Sequence, residues 1–201
     1  MQPSDFEKNV AKHIKGSKPA PVHLWNPPFC GNLEIHVDSN GRWFYQKSEI
    51  KRERLIKLFA NIIKKEKDKY YLVTPVEKVG ITVEDVPFIA TDIDIIKKGK
   101  IALCKFTTNI GDSTYLEEYN QFNILFKKSN NEPQPYVNVR SNLFAKIDRK
   151  SFYRLIDFCT ETTYRDENWL GFHSNNIFFP LIKSEQLDLF LKSRSKSLRT
   201  D

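Results

Sequence analysis

Two stretches of this chain spell nearly the same thing: Arg54-Leu-Ile-Lys-Leu-Phe59 aligns without a gap on Arg154-Leu-Ile-Asp-Phe-Cys159. Flanking blocks match in the same order. Val37-Asp-Ser-Asn40 corresponds to Val139-Arg-Ser-Asn142, and Lys67-Asp-Lys-Tyr-Tyr-Leu72 to Arg165-Asp-Glu-Asn-Trp-Leu170. The offset runs 102, 100 and 98 residues from block to block, so each intervening connection differs by two residues, a change that loops absorb at little cost. A chain built this way is expected to fold as two related halves, each a strand-turn-strand-helix-strand unit.

The elements read as follows. Leu33, Ile35 and Val37 alternate with Glu34, His36 and Asp38, the period of a half-buried strand, and Asp38-Ser-Asn-Gly41 is a hairpin turn because Asn and Gly tolerate positive φ. Trp43-Phe-Tyr45 is the return strand. Ser48 is expected to cap a helix, with Glu49 in its first turn, whose buried stripe is Leu55, Ile56, Phe59, Ile62 and Ile63. Lys64 to Lys69 reads as a charged loop, and Tyr70 to Thr74 as a strand stopped by Pro75. In the second half Asp148 caps a helix that buries Phe152, Leu155, Ile156 and Cys159. Between the copies, four β-rich stretches start at Ile81, Phe88, Ile101 and Phe122. The fold class is α+β. Ser4-Asp-Phe-Glu7 is a capping box that opens a helical arm over residues 1–19. The halves span 20–80 and 81–182, and 183–201 form a short helix and a basic tail.

Composition excludes several classes. Fifteen Phe, eight Tyr and three Trp against seven Gly call for a packed interior, not a disordered chain. No apolar run approaches the roughly 18 residues of a membrane span, and the N-terminus lacks the apolar stretch of a secretion signal, so the expected location is cytoplasmic. Three scattered cysteines, Cys30, Cys104 and Cys159, supply no metal framework and fit a reducing compartment. The net charge is +7, but Lys192, Arg194, Lys196 and Arg199 stand in the last ten residues against Asp201. Removing these four cations and one carboxylate leaves +4 on the rest, which argues against sequence-specific nucleic-acid binding. Truncation after Leu191 is expected to leave the melting temperature nearly unchanged, since the tail offers little apolar surface.

With Asn40-Gly-Arg-Trp-Phe-Tyr45, Tyr70-Tyr-Leu-Val-Thr-Pro-Val-Glu-Lys78, Val83-Glu-Asp-Val-Pro-Phe88, Thr108-Asn-Ile-Gly-Asp112 and Pro135-Tyr-Val-Asn-Val-Arg140 in view, the chain resembles the bacterial family known as domain of unknown function 1285, from about Trp25 to Phe179. The resemblance implies two related halves, the second a pleckstrin-homology-like β roll with one packed helix, and a ligand site between them. It implies no established activity. Where the family pattern would place glycines, Asn142 and Asn175-Asn176 stand instead, so these turns are expected to put Asn in the left-handed region.

The chemistry is sparse. The sequence has no nucleophile elbow, P-loop, dinucleotide fingerprint or paired-His metal helix, so no catalytic residue, metal ligand or cofactor is assigned. His36 alternates with core positions and is expected to face solvent, and His173 reads as structural. Glu77 and Lys78, shortly after Pro75, form with Thr74 and Tyr71 a polar rim at one strand end. Arg140, on a strand that holds its fork, is the expected anion contact. The candidate ligand set is therefore Arg140, Lys78, Trp43, Tyr71, Glu77 and Trp169, and the expected ligand an unidentified anionic or nucleotide-like small molecule serving a sensing or signal-transduction role. A protein-interaction module with a protein partner is the alternative, and an enzyme of unrecognised type a third reading.

Overall fold

The computed structural model describes residues 20–99, 101–127 and 132–186. The expected N-terminal arm and basic tail lie outside the described residues. The chain is mostly β, with fifteen strands, two α-helices and a helical stretch at 184–186 among the described residues, and it divides into two compact units. Unit 1 runs to Ile89 and takes in Thr108–Asp112 and Val139–Ala145; unit 2 comprises Ala90–Thr107, Ser113–Asn138 and the chain from Lys146.

Unit 1 contains a six-stranded sheet in the order β3-β2-β1-β6-β5-β4, built from β1 (Phe29–Val37), β2 (Trp43–Tyr45), β3 (Ser48–Glu49), β4 (Ile63–Glu66), β5 (Lys69–Val73) and β6 (Lys78–Val83). The Asp38 turn forms as its residues require. The Asp38 carbonyl accepts from the Gly41 amide at 2.9 Å, and its carboxylate accepts from the Asn40 and Arg42 amides. Gly41 holds φ +74°, where a Cβ would meet Ile89 Cγ1 at 2.6 Å, so glycine is required twice over. Helix α1 (Glu53–Asn61) seats Phe59 against the Trp43 ring, 6.2 Å between centroids. Phe59, Ile62 and Ile63 are fully buried, while Leu55 and Ile56 remain half-buried.

Two expectations fail here. Ser48 and Glu49 do not begin the helix: they form β3, folded onto β2 by a turn in which Gln46 and Lys47 both have positive φ. The helix starts at Glu53 behind Arg52, with no side-chain cap. Lys64 to Lys69 is not a loop but the β4–β5 hairpin, its turn at Lys67 and Asp68.

The second six-stranded sheet has the order β10-β11-β12-β7-β8-β9, from β7 (Phe88–Lys98), β8 (Ile101–Thr108), β9 (Ser113–Tyr115), β10 (Phe122–Phe126), β11 (Pro133–Arg140) and β12 (Leu143–Ile147). Helix α2 (Arg149–Ile156) follows, with the Asp148 carboxylate accepting from the Ser151 amide at 2.7 Å. It lies against β14 (Glu167–Ser174), the centre of a three-stranded sheet with β13 (Thr160–Tyr164) and β15 (Ile177–Lys183). Leu155 is buried and Ile156 and Cys159 are half-buried. Phe172 and Phe179 stack at 5.3 Å, and the buried Ser174 hydroxyl accepts from the Cys104 amide and donates to the Leu116 carbonyl. Of the turn asparagines, Asn175 and Asn176 are left-handed; at the β11–β12 turn it is Ser141, φ +49°, and not Asn142.

The duplicated order is present, strand-turn-strand-helix followed by an antiparallel three-strand meander, with β3 inserted before the helix in the first set only, and the pairing differs. In the first set β1 pairs parallel with β6 and closes all strands into one sheet. In the second, the hairpin β11–β12 and the meander β13–β15 enter different sheets.

Candidate functional site

Across the centre of the unit 1 sheet, strand register sets Asn32 and Tyr71 on either side of Gly80, and Phe29 beside Lys78. Gly80 has no side chain, and Asn32 Oδ1 lies 2.2 Å from where a Cβ would stand, so the sheet surface dips at this position. The dip is a groove of about 500 Å³ lined by Phe29, Asn32, Lys69, Tyr71, Lys78 and Thr82 among others. Phe29 meets the Tyr71 ring edge-on, 6.1 Å and 88°, and the Lys78 ammonium sits 4.9 Å over the same ring.

Lys78 also donates to Glu66 Oε2 at 2.9 Å, and Lys64 pairs with the other oxygen at 3.1 Å. The Lys78 hydrogen bond, joined by that of Lys64, outweighs the effect of burial and holds the Glu66 carboxyl below its ordinary range. Because alternate strand residues share a face, Lys64, Lys69 and Lys78 stand here around Glu66, with Asp68 in the adjoining turn. Three ammonium groups against two carboxylates leave the groove cationic.

A second groove, about 650 Å³, shares Thr82 and is lined by Glu34, His36, Asp38, Phe44 and Lys47. Its character is opposite. His36 is tied to Glu84 at 2.9 Å. Burial raises the Asp38 carboxyl, but the Arg42 amide and guanidinium and the Asn40 amide together bring it below the ordinary range. An anion entering this groove would face standing carboxylates, so the smaller groove is the better anion site.

The six residues expected from sequence scatter. Lys78 and Tyr71 share the groove. Glu77 is buried at the β5–β6 turn, where its carbonyl accepts from the Thr74 amide and its own amide donates to the Thr74 hydroxyl. The Thr74 hydroxyl therefore closes a turn and is not part of an open rim. Trp43 is wholly buried, with its indole N–H unpartnered, and presents nothing to solvent. Arg140 is engaged inside unit 1: its guanidinium pairs with Asp112, donates to the Ala60 carbonyl at 2.6 Å and lies 4.9 Å over the Phe88 ring. It does not line the groove that holds Lys78. Trp169 lies in unit 2 on β14, with Lys183 over its ring at 5.6 Å. Sequence reasoning missed Phe29, Asn32 and Gly80, whose placement depends on the parallel β1–β6 pairing, a contact without local signature.

Other reactive groups are muted. Burial pushes the Cys104 thiol up to about 11 and the Cys159 thiol up to about 12, so neither is a thiolate at neutral pH. No group of three or more His, Cys, Asp or Glu among the described residues is placed to hold a metal ion, and no described helix is long and apolar enough to cross a membrane.

Comparison with known proteins shows the family. Residues 20–86 match the model described as "Domain of unknown function (DUF1285), N-terminal domain", and residues 87–181 the model described as "Protein of unknown function (DUF1285), C-terminal domain". The crystal structure of a DUF1285 family protein from Silicibacter pomeroyi DSS-3 is 46% identical, covering 90% of this chain and 97% of that one, with a TM-score of 0.80. A DUF1285 family protein from Shewanella baltica OS155 is 26% identical over 62% of this chain and 91% of that one, with a TM-score of 0.51. No curated protein matches the chain. Two family models that together span residues 20–181, and a solved relative at 46% identity, place this chain in the DUF1285 family.

Proposed function

We propose that the protein is a ligand-sensing module that binds a small anionic, nucleotide-like molecule in the groove over Gly80. The observation that carries this reading is the pairing, within one dip of about 500 Å³, of an aromatic wall (Phe29 and Tyr71) with the ammonium groups of Lys69 and Lys78. A phosphate or carboxylate needs fixed cationic donors and a ring needs a flat apolar wall, and here the two converge. Asn32 and Thr82 add neutral polar groups for orientation. Of the residues expected from sequence, Lys78 and Tyr71 carry the proposal. Glu77 fixes the turn that precedes Lys78, while Trp43 and Arg140 serve the fold of unit 1, and Trp169 takes no part.

The reading as a sensor rests on Glu66. An anion at Lys78 exchanges the Lys78–Glu66 pair for a Lys78–ligand pair, and the Glu66 carboxylate on edge strand β4, left to Lys64 alone, reports occupancy. A pleckstrin-homology-type roll for residues 81–182 remains part of this reading; the six-stranded sheet and helix α2 support it.

The test is calorimetric titration of nucleotides and small phosphorylated or carboxylated acids into wild type, Lys78→Met and Tyr71→Ala. Loss of one charge-assisted hydrogen bond is worth about 1.5–3 kcal/mol, roughly 10- to 150-fold in affinity. A ligand that binds wild type and both variants equally well refutes the groove.

A further inference from the structure

Lys78, which lines the groove over Gly80, already holds an anion: the Glu66 carboxylate on edge strand β4. Strand register puts Lys69 directly across from Glu66 on β5, and Lys64 stands two residues before Glu66 on the same face of β4. Lys64 reaches Glu66 Oε1 at 3.1 Å and Lys78 reaches Oε2 at 2.9 Å, so each carboxylate oxygen holds one ammonium. These three are the sheltered charges of the face, with Lys78 17%, Lys64 23% and Glu66 35% exposed. Asp68 and Lys69 are exposed, and water and salt screen both.

The two ammonium groups differ in how they are held. The Trp25 carbonyl accepts from Lys64 at 3.3 Å and ties it in place, whereas Lys78 lies 4.9 Å over the Tyr71 ring, on the aromatic wall of the groove. Lys78 is therefore the ammonium that an incoming anion would take from Glu66.

We infer that Glu66 is a built-in competitor that sets a threshold for binding, and that the ligand clearing this threshold carries a phosphate monoester and not a carboxylate. The inference rests on the reading of this groove as an anion site. A ligand carboxylate offers Lys78 the same two oxygens and single charge that Glu66 offers. Glu66 is held on the same sheet, at an effective concentration on the order of millimolar or above, so a more dilute carboxylate loses the exchange. A phosphate monoester brings about −1.5 to −2 charges at neutral pH and three terminal oxygens. It can take Lys78 and reach Lys69 at once, while Glu66 keeps Lys64. Opening the Lys78–Glu66 pair costs every ligand alike, so Glu66 sets the threshold and Lys69 the preference for phosphate.

The experiment titrates phenyl phosphate and phenylacetate, two ring-bearing probes that differ in the anion, into the full chain, with amide NMR shifts as the readout. At about pH 8 the phosphate is a dianion, its second pKa being about 6. Wild type should bind phenyl phosphate at least about tenfold more tightly than phenylacetate, the scale of one additional charge-assisted hydrogen bond. Glu66→Gln should tighten both probes by roughly tenfold on the same scale. Lys69→Met should weaken phenyl phosphate alone and bring the two probes close together, and circular dichroism checks that each variant is folded. Equal binding of the two probes by wild type overturns the inference, as does a phosphate preference unchanged in Lys69→Met. So does a Glu66→Gln variant that binds phenyl phosphate no more tightly than wild type, the result expected if the carboxylate only orders the lysines. These three results leave the groove standing as an anion site so long as Lys78→Met weakens phenyl phosphate. Phenyl phosphate that binds Lys78→Met as well as wild type, or that binds neither wild type nor Glu66→Gln, removes the groove itself and the inference with it.

Discussion

Replacing Arg140 with Ala tests whether the most conspicuous cation on the sequence serves the fold of unit 1. The guanidinium is 18% exposed and its partner Asp112 is 22% exposed, so the pair is shielded but not dry. Truncation removes the ion pair with Asp112, the bond to the Ala60 carbonyl and the stacking over Phe88. Removing one partner of a fully buried pair costs about 3–5 kcal/mol because the other charge is stranded. Here water reaches part of the Asp112 carboxylate, so a loss of about 2–4 kcal/mol is expected, most of it from the stranded carboxylate and the orphaned carbonyl. Urea denaturation followed by circular dichroism reads this directly, and the melting temperature should fall by roughly 2–4 °C per kcal/mol for a chain of this length. Asp112→Ala and the double variant complete a cycle in which the second truncation costs much less than the first. Wild-type stability in Arg140→Ala, accompanied by loss of ligand affinity, would refute the reasoning and return Arg140 to the binding site.

Other expectations follow from the same packing. Phe59→Ala should cost about 3–5 kcal/mol in chemical denaturation, because the ring is fully buried against Trp43. Ser174→Ala should cost about 1–3 kcal/mol, since it leaves the Cys104 amide and Leu116 carbonyl without their partner in a buried site. Glu66 has a folded-state pKa below its unfolded value, so its contribution is present above the ordinary glutamate range and is lost as pH falls through the folded value. Thermal melts from neutral to acid pH should therefore show a shallower acid decline in Glu66→Gln than in wild type.

Much of the fold could be read from the residues, for identifiable reasons. The Asp38-Ser-Asn-Gly41 turn carries its chemistry in its own side chains, and of the expected helical stripe Phe59 is buried within α1, while Ile62 and Ile63 are buried just beyond its end, Ile63 on β4. The β2–β3 and β4–β5 hairpins were hidden. Their turns place Gln46, Lys47 and Lys67 at positive φ, a conformation usually signalled by Asn or Gly. Strand β4 also bears the charges that protect a sheet edge, which mimic a solvated loop. The candidate site was half visible. Tyr71 and Lys78 stood out because their segment places aromatic and charged groups at a strand end, but Phe29, Asn32 and Gly80 join them through the parallel β1–β6 pairing, which local pattern does not encode. The contacts of Arg140 were hidden for the same reason: its partner Asp112 and the Ala60 carbonyl are distant in sequence.

The central claim is that the groove over Gly80 holds an anionic, ring-bearing ligand. Native mass spectrometry of freshly purified protein, repeated on Lys78→Met, tests it most directly. The account predicts an added mass on wild type that corresponds to a phosphate- or carboxylate-bearing small molecule and that is absent or strongly reduced on Lys78→Met. Amide shifts on adding the identified compound back to stripped protein should centre on Phe29, Asn32, Tyr71 and Gly80. The same added mass at full occupancy on the variant, or shifts confined to residues outside this groove, would contradict the account.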